Sequence, residues 1–184
     1  MISLLGAPRH RGCRPSTRLR YTGPIHARLN LPIPPRVQRF LDALGPVAYV
    51  ALTSTPPELV RRVVRALAGL GARILVAGTV HELDDLASNQ VMVDAVLPSH
   101  LVMPRVDLAV VTAGHGGLQT AMASGVPAIG IPLHLERDLN VALLERLGAA
   151  RCLAPRRVGP PLATLAQQML DGRPPCRQPG ARAL

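Results

Sequence analysis

One stretch, Asp107 to Ala150, restricts this chain to very few folds: DLAVVTAGHGGLQTAMASGVPAIGIPLHLERDLNVALLERLGAA. Asp107 to Thr112 is an apolar, β-branched run that reads as a buried strand. Ala113 to Gly117 follows as a turn with three glycines in five residues. Leu118 to Ser124 is a short helix-permissive segment, stopped by Gly125-Val126-Pro127. Ala128 to Ile131 is a second buried strand, followed by a polar turn and a further helix. A glycine-rich turn between a strand and a helix start is how α/β folds bind phosphate. Backbone N–H groups point at the anion, and glycine lets the ligand come close.

The rest of the chain alternates in the same way. A short helix is expected over Pro35 to Leu44 and a strand over Val47 to Leu52. An amphipathic helix should run from Pro57 to Leu70. Leu59, Val60, Val63, Val64 and Leu67 share one face, Arg61, Arg62 and Arg65 turn outward, and Thr55 is its N-cap. Arg73 to Ala77 and Val91 to Val96 read as strands, with a short helix near Leu83 to Ala87 between them. Ala150 to Leu153 reads as a last short strand and Pro161 to Leu170 as a last helix. Strand–helix alternation of this kind predicts an α/β, Rossmann-like parallel sheet with helices on both faces. Residues 1–30 read as an irregular basic leader, 31–171 as the folded domain, and 172–184 as a disordered tail.

The segment from Asp107 to Gly148 resembles the donor-binding part of family 1 glycosyltransferases, which place two facing Rossmann-like domains in the GT-B arrangement. In that family a strand ends in His-x-Gly. A helix and Gly-Val-Pro follow, then a strand and Pro-x-x-x-Asp/Glu-Gln-x-x-Asn. The end of the pattern corresponds here to Pro132, Glu136, Arg137 and Asn140. A looser likeness covers residues 45 to 170, and Tyr21 to Ile25 resembles the way the chain enters the family's second domain.

Two registers compete in the turn. Equating His115-Gly116-Gly117 with a family His-Gly-Gly leaves only four residues between Thr120 and Gly125. That is roughly one helical turn too few. Counting back from Gly125 without a gap is preferred. Thr112 then takes the family histidine's place and Gly114 the glycine's. Gly116 and Gly117 fall at the helix start, and Thr120 sits where many members have Glu. Arg137 replaces the family's Gln, so an amide for sugar hydroxyls is exchanged for a cation.

The resemblance implies a donor-binding set. His115, with Gly114, Gly116 and Gly117, would face the diphosphate, and Thr120 lies one turn in. The Thr53-Ser54-Thr55 loop occupies the place of the family's Gly-Ser loop. Glu136 would accept sugar hydroxyls, with Arg137 and Asn140 beside it. Val96-Leu97-Pro98, before Ser99 and His100, matches the base-binding turn by position. The Trp that stacks on the base in many plant members is absent, so backbone contacts from Val96 and Leu97 would serve. Each position also has a plain alternative: helix capping, turn covering or i−4 bonding. The co-substrate implied is a UDP- or dTDP-linked sugar, with no metal or other cofactor. The partner substrate implied is a small hydroxylated acceptor.

The family's catalytic His base lies on an N-terminal acceptor domain, and nothing here resembles that domain. The chain is therefore expected to be a donor half, incomplete without a separate acceptor domain or subunit. A non-catalytic nucleotide-sugar-binding subunit and an epimerase-like protein remain open alternatives.

Composition narrows the remaining classes. The net charge of +10 is uneven. Residues 1–40 hold eight Arg and no acid, whereas 41–150 hold seven Arg against ten acids. A basic face interleaved with aromatics is missing, which argues against nucleic-acid binding. Cys13, Cys152 and Cys176 have no metal spacing and suit a reducing cytoplasm. No apolar run resembles a signal peptide. Leu108 to Leu135 lacks Asp, Glu and Arg, but its five glycines and two prolines fit two buried strands better than a membrane span.

Overall fold

The computed structural model describes residues 28–172. Most of the basic leader and its Tyr21–Ile25 segment lie outside the described residues, as do Cys13, Cys176 and the tail beyond Gly172. Six strands form one parallel sheet: β1 (Val47–Ala51), β2 (Arg73–Ala77), β3 (Val91–Asp94), β4 (Leu108–Val111), β5 (Ala128–Gly130) and β6 (Ala150–Cys152). Their order is β3-β2-β1-β4-β5-β6. This is the doubly wound order, and the direction of winding reverses between β1 and β4.

Both faces of the sheet are buried, because successive residues of each strand point to opposite sides. Tyr49, Leu75, Ala109 and Val111 pack on one face. They meet α1 (Pro35–Asp42), α3 (Ser99–Val102), α4 (His115–Ala123) and α5 (Leu135–Arg146). Val50, Ile74, Val76, Leu108, Val110 and Ile129 point the other way, toward α2 (Pro57–Ala68) and α6 (Pro160–Asp171). Leu59, Val60, Val63, Val64 and Leu67 are all buried, as the spacing of α2 requires. Each such side chain is worth about 1.5–3 kcal/mol when fully withdrawn from water.

Several boundaries differ from expectation for identifiable reasons. Thr55 does not cap α2; its hydroxyl turns back to the carbonyl of Leu52 at 2.8 Å, and Pro56 stands at the cap. Arg62 does not simply face water, since it donates to the carbonyl of Val158 at 2.7 Å and ties α2 to the approach of α6. Asp107 precedes β4, and its carboxylate accepts from the Val47 amide at 2.9 Å. β3 stops at Asp94, whose carboxylate takes Arg36 at 2.9 Å and holds α1 against the sheet. The segment near Leu83 forms only one 3-10 turn, Asp84–Leu86. The described residues hold no helix long and apolar enough to cross a membrane.

The largest difference lies at the glycine-rich turn. α4 begins at His115, not Leu118, so Gly116 and Gly117 belong to its first turn and Gly114 is the N-cap. The left-handed conformation that the turn needs falls on Ala113, with φ of 58°, not on a glycine. Ala113 is the single non-glycine with positive φ among the described residues.

Candidate functional site

All six strands run parallel, so the loops that leave β1, β3, β4 and β5 gather at one edge of the sheet. These loops and the helices α4 and α5 that follow two of them hold the site residues expected from sequence. Ligands of doubly wound folds bind at this edge, outside the winding switch. Here the switch lies between the Thr53-Ser54 loop after β1 and the Thr112–Gly114 turn after β4.

The turn after β4 is built by opposing demands. Ala113 is fully buried, and its left-handed backbone costs about 1–2 kcal/mol. Its carbonyl accepts from Asn140 Nδ2 at 3.4 Å, and Asn140 itself is buried. α5 therefore locks the conformation of the β4–α4 turn. Gly130 allows this approach: a Cβ there would lie 2.6 Å from Val141 Cγ2 and 3.1 Å from Ala113 Cβ. Asn140 is thus placed as the support of the turn.

The glycines of the turn divide by role. A Cβ on Gly117 would meet Val111 at 3.2 Å, so Gly117 lets α4 pack on β4. A Cβ on Gly116 would meet nothing within 4 Å, and one on Gly114 only the Thr112 hydroxyl at 3.7 Å. Neither has positive φ. Glycine inside a helix costs about 1 kcal/mol relative to alanine. Among the described residues neither packing nor backbone conformation requires a glycine at Gly116. The N-terminus of α4 has no side-chain cap among the described residues, so its first amides are not satisfied from that source.

His115 and Glu136 come together from different helices. His115 Nδ1 lies 3.0 Å from Glu136 Oε1, joining the first turn of α4 to that of α5. The His115 side chain is 29% exposed and the Glu136 side chain 68%. Arg137, next in line, has one buried guanidinium nitrogen, Nη1, without a hydrogen-bond partner among the described residues. Thr120 donates its hydroxyl to the carbonyl of Gly116 at 2.7 Å, the i−4 arrangement.

The remaining positions sit on the same edge. Thr53 is half-buried and Ser54 exposed; Thr112 is half-buried beside the turn. Val96 is exposed, whereas Leu97 and Pro98 are buried. Ser99 opens α3 and shares a hydrogen bond of 2.9 Å with the Tyr49 hydroxyl. Tyr49 reaches up from β1, and its burial pushes the phenol above its ordinary value. Sequence reading missed this support of the Val96–Pro98 turn. Nothing in the spacing of Tyr49 and Ser99 announces the pair, because only the sheet brings them together. The left-handed Ala113 and the His115–Glu136 pair were missed for the same reason. No group of three or more metal-binding side chains occurs among the described residues.

Known proteins share this fold and family. The chain is 31% identical over 157 residues to a PGL/p-HBAD biosynthesis glycosyltransferase of Mycobacterium tuberculosis, covering 83% of this chain and 36% of the relative. It is 32% identical over 129 residues to 4'-demethylrebeccamycin synthase of Lentzea aerocolonigenes, covering 68% of this chain and 30% of that enzyme. The chain thus spans about a third of the length of these relatives. The fold matches that of the Streptomyces sp. SF2575 glycosyltransferase SsfS6, solved with thymidine diphosphate, at a TM-score of 0.62 and 23% identity. That match covers 82% of this chain and 38% of SsfS6. Residues 13–159 match the family model described as UDP-glucoronosyl and UDP-glucosyl transferase, and the chain belongs to that family.

Proposed function

We propose that this chain binds a nucleoside-diphosphate sugar, UDP- or dTDP-linked, as the donor half of an inverting glycosyl transfer to a small hydroxylated acceptor. The observation that carries this reading is Gly116, a helical glycine whose absent side chain opens onto space at an uncapped helix N-terminus. In this reading the diphosphate lies against Gly116. The helix end supplies amide donors and a partial positive charge where negative charge gathers on the leaving group. The thymidine diphosphate bound to SsfS6, on the same fold, supports the ligand class.

In this reading the acceptor oxygen attacks the anomeric carbon and the diphosphate departs toward α4. Glu136 accepts hydrogen bonds from sugar hydroxyls through its free oxygen, and Arg137 lies beside it. Val96 to Pro98 flanks the base. Thr53 and Ser54 face the phosphates across the winding switch. The acceptor base comes from an acceptor domain or subunit.

Calorimetric titration of the 184-residue chain with UDP and dTDP tests the binding step. Saturable binding of at least one is expected. Transfer of labelled sugar is expected only when an acceptor half is supplied. Failure to bind either nucleotide overturns the reading, and robust transfer by the chain alone overturns its division of labour.

A further inference from the structure

The helices on the sheet differ in what they show to water. On α2 the side turned from the sheet is charged, with Glu58, Arg62 and Arg65 exposed. α5 is apolar on both sides. Val141 and Leu144 are buried in the core, yet Leu135 is 76% and Leu139 60% exposed. Ala142 and Arg146 are exposed as well. At about 3.6 residues to a turn, Leu135, Leu139, Ala142 and Arg146 line one outer stripe of the helix, opposite Asn140 and Leu144. A scattered surface leucine is ordinary. Two leucines one turn apart, beside an alanine, on a helix apolar all round are the pattern of a helix covered on both sides.

Charges mark the ends of the stripe. Asp138 flanks it in the first turn and Arg146 closes it in the last. Neither side chain has a hydrogen bond or ion pair with another described residue. They stand about 12 Å apart along the axis, too far to pair within one helix. Glu136 and Glu145, by contrast, are engaged by His115 and by the Cys152 amide.

We propose that this stripe is the interface of a homodimer, in which α5 packs antiparallel against α5 of a second copy. A two-fold axis between Leu139 and Ala142 makes the stripe complementary to itself. Leu139 of each copy enters the notch left by Ala142 of the other. Leu135 lies under the stem of the other copy's Arg146, whose head reaches Asp138 one turn further in. Symmetry makes this ion pair twice. A parallel pair would set Arg146 against Arg146 and Asp138 against Asp138, so the charges choose the antiparallel orientation. A helix of twelve residues is about 18 Å long, so the contact is small and the dimer is weak and reversible.

Sedimentation of the full chain without ligand, from low micromolar to submillimolar concentration, tests the inference. Wild type should show a reversible monomer–dimer equilibrium. Leu139→Glu should weaken it about tenfold or more, since it places a carboxylate in the apolar contact. Asp138→Arg and Arg146→Asp should each weaken dimerisation, and the two together should restore most of it, because the exchanged charges pair again across the axis. All four positions are exposed or flank the exposed stripe, so thermal melting of the dilute monomers should match wild type. If Leu139→Glu does not fold, the charge exchange decides alone.

A wild-type chain that stays monomeric at the highest concentration overturns the inference and leaves the stripe to a different partner. A dimer unaffected by Leu139→Glu overturns it too, as do additive losses in the charge-exchanged double variant. None of these results bears on nucleotide binding.

Discussion

Asn140 donates from Nδ2 to the carbonyl of Ala113 at 3.4 Å, so the helix after β5 holds the strained turn after β4. His115 and Glu136 form a second bridge, between the first turns of α4 and α5, at 3.0 Å. The two halves of the candidate donor site are therefore one mechanical unit. A change on α5 reaches the phosphate turn without touching phosphate.

Asn140→Ala removes the lock. Loss of this buried hydrogen bond should cost about 1–3 kcal/mol, since the Ala113 carbonyl is left without that donor. Diphosphate affinity should fall with it, because the open amides of α4 depend on the turn. Denaturant melts paired with calorimetry check this. A stable variant with intact affinity would mean that the turn holds its shape unaided.

The glycines of the first turn of α4 should separate cleanly. Gly117→Val brings a side chain onto Val111 and should cost about 1–3 kcal/mol of stability through overpacking. A Cβ added at Gly116 has nothing within 4 Å, so Gly116→Val should leave the melting temperature close to wild type, yet weaken UDP and dTDP binding. Equal affinity for Gly116→Val would show that the open space is not a phosphate site.

Glu136 and Arg137 distinguish sugar from phosphate recognition. Glu136→Ala should weaken nucleotide-sugar binding more than bare diphosphate binding, because it loses both the sugar contact and its hold on His115. Equal losses for the two ligands would confine Glu136 to positioning. Arg137→Gln should retain or improve nucleotide-sugar binding and leave His115 unaffected. Titrating each variant with UDP-glucose, dTDP-glucose and the parent diphosphates resolves the two effects.

Cys152 offers a check on the sheet edge. Burial pushes its thiol above the ordinary range, with Glu145 and then Asp138 adding to the effect. A raised thiol has less thiolate at neutral pH, and thiolate is the reactive form. With Cys13 and Cys176 replaced by Ser, alkylation by iodoacetamide at neutral pH should run slower than for free cysteine, and its rise with pH should come later than free cysteine's. A rate equal to or above that of free cysteine would contradict the local burial.

The sequence by itself determined the strands, the helices and the parallel class. Apolar period and glycine–proline punctuation are local signals, and Leu59 to Leu67 or Gly125 to Pro127 carry them without help from distant residues. It also marked the neighbourhood of the site, because a phosphate turn needs its glycines within a few residues. Only the tertiary structure decided which residue bears the strain. Ala113 takes the left-handed conformation in place of its glycine neighbours because Asn140 and the packing around Gly130 hold it there. The partners His115 with Glu136, and Tyr49 with Ser99, were likewise settled by the winding of the sheet. That winding brings loops distant in sequence to one edge, and no local pattern encodes such a meeting.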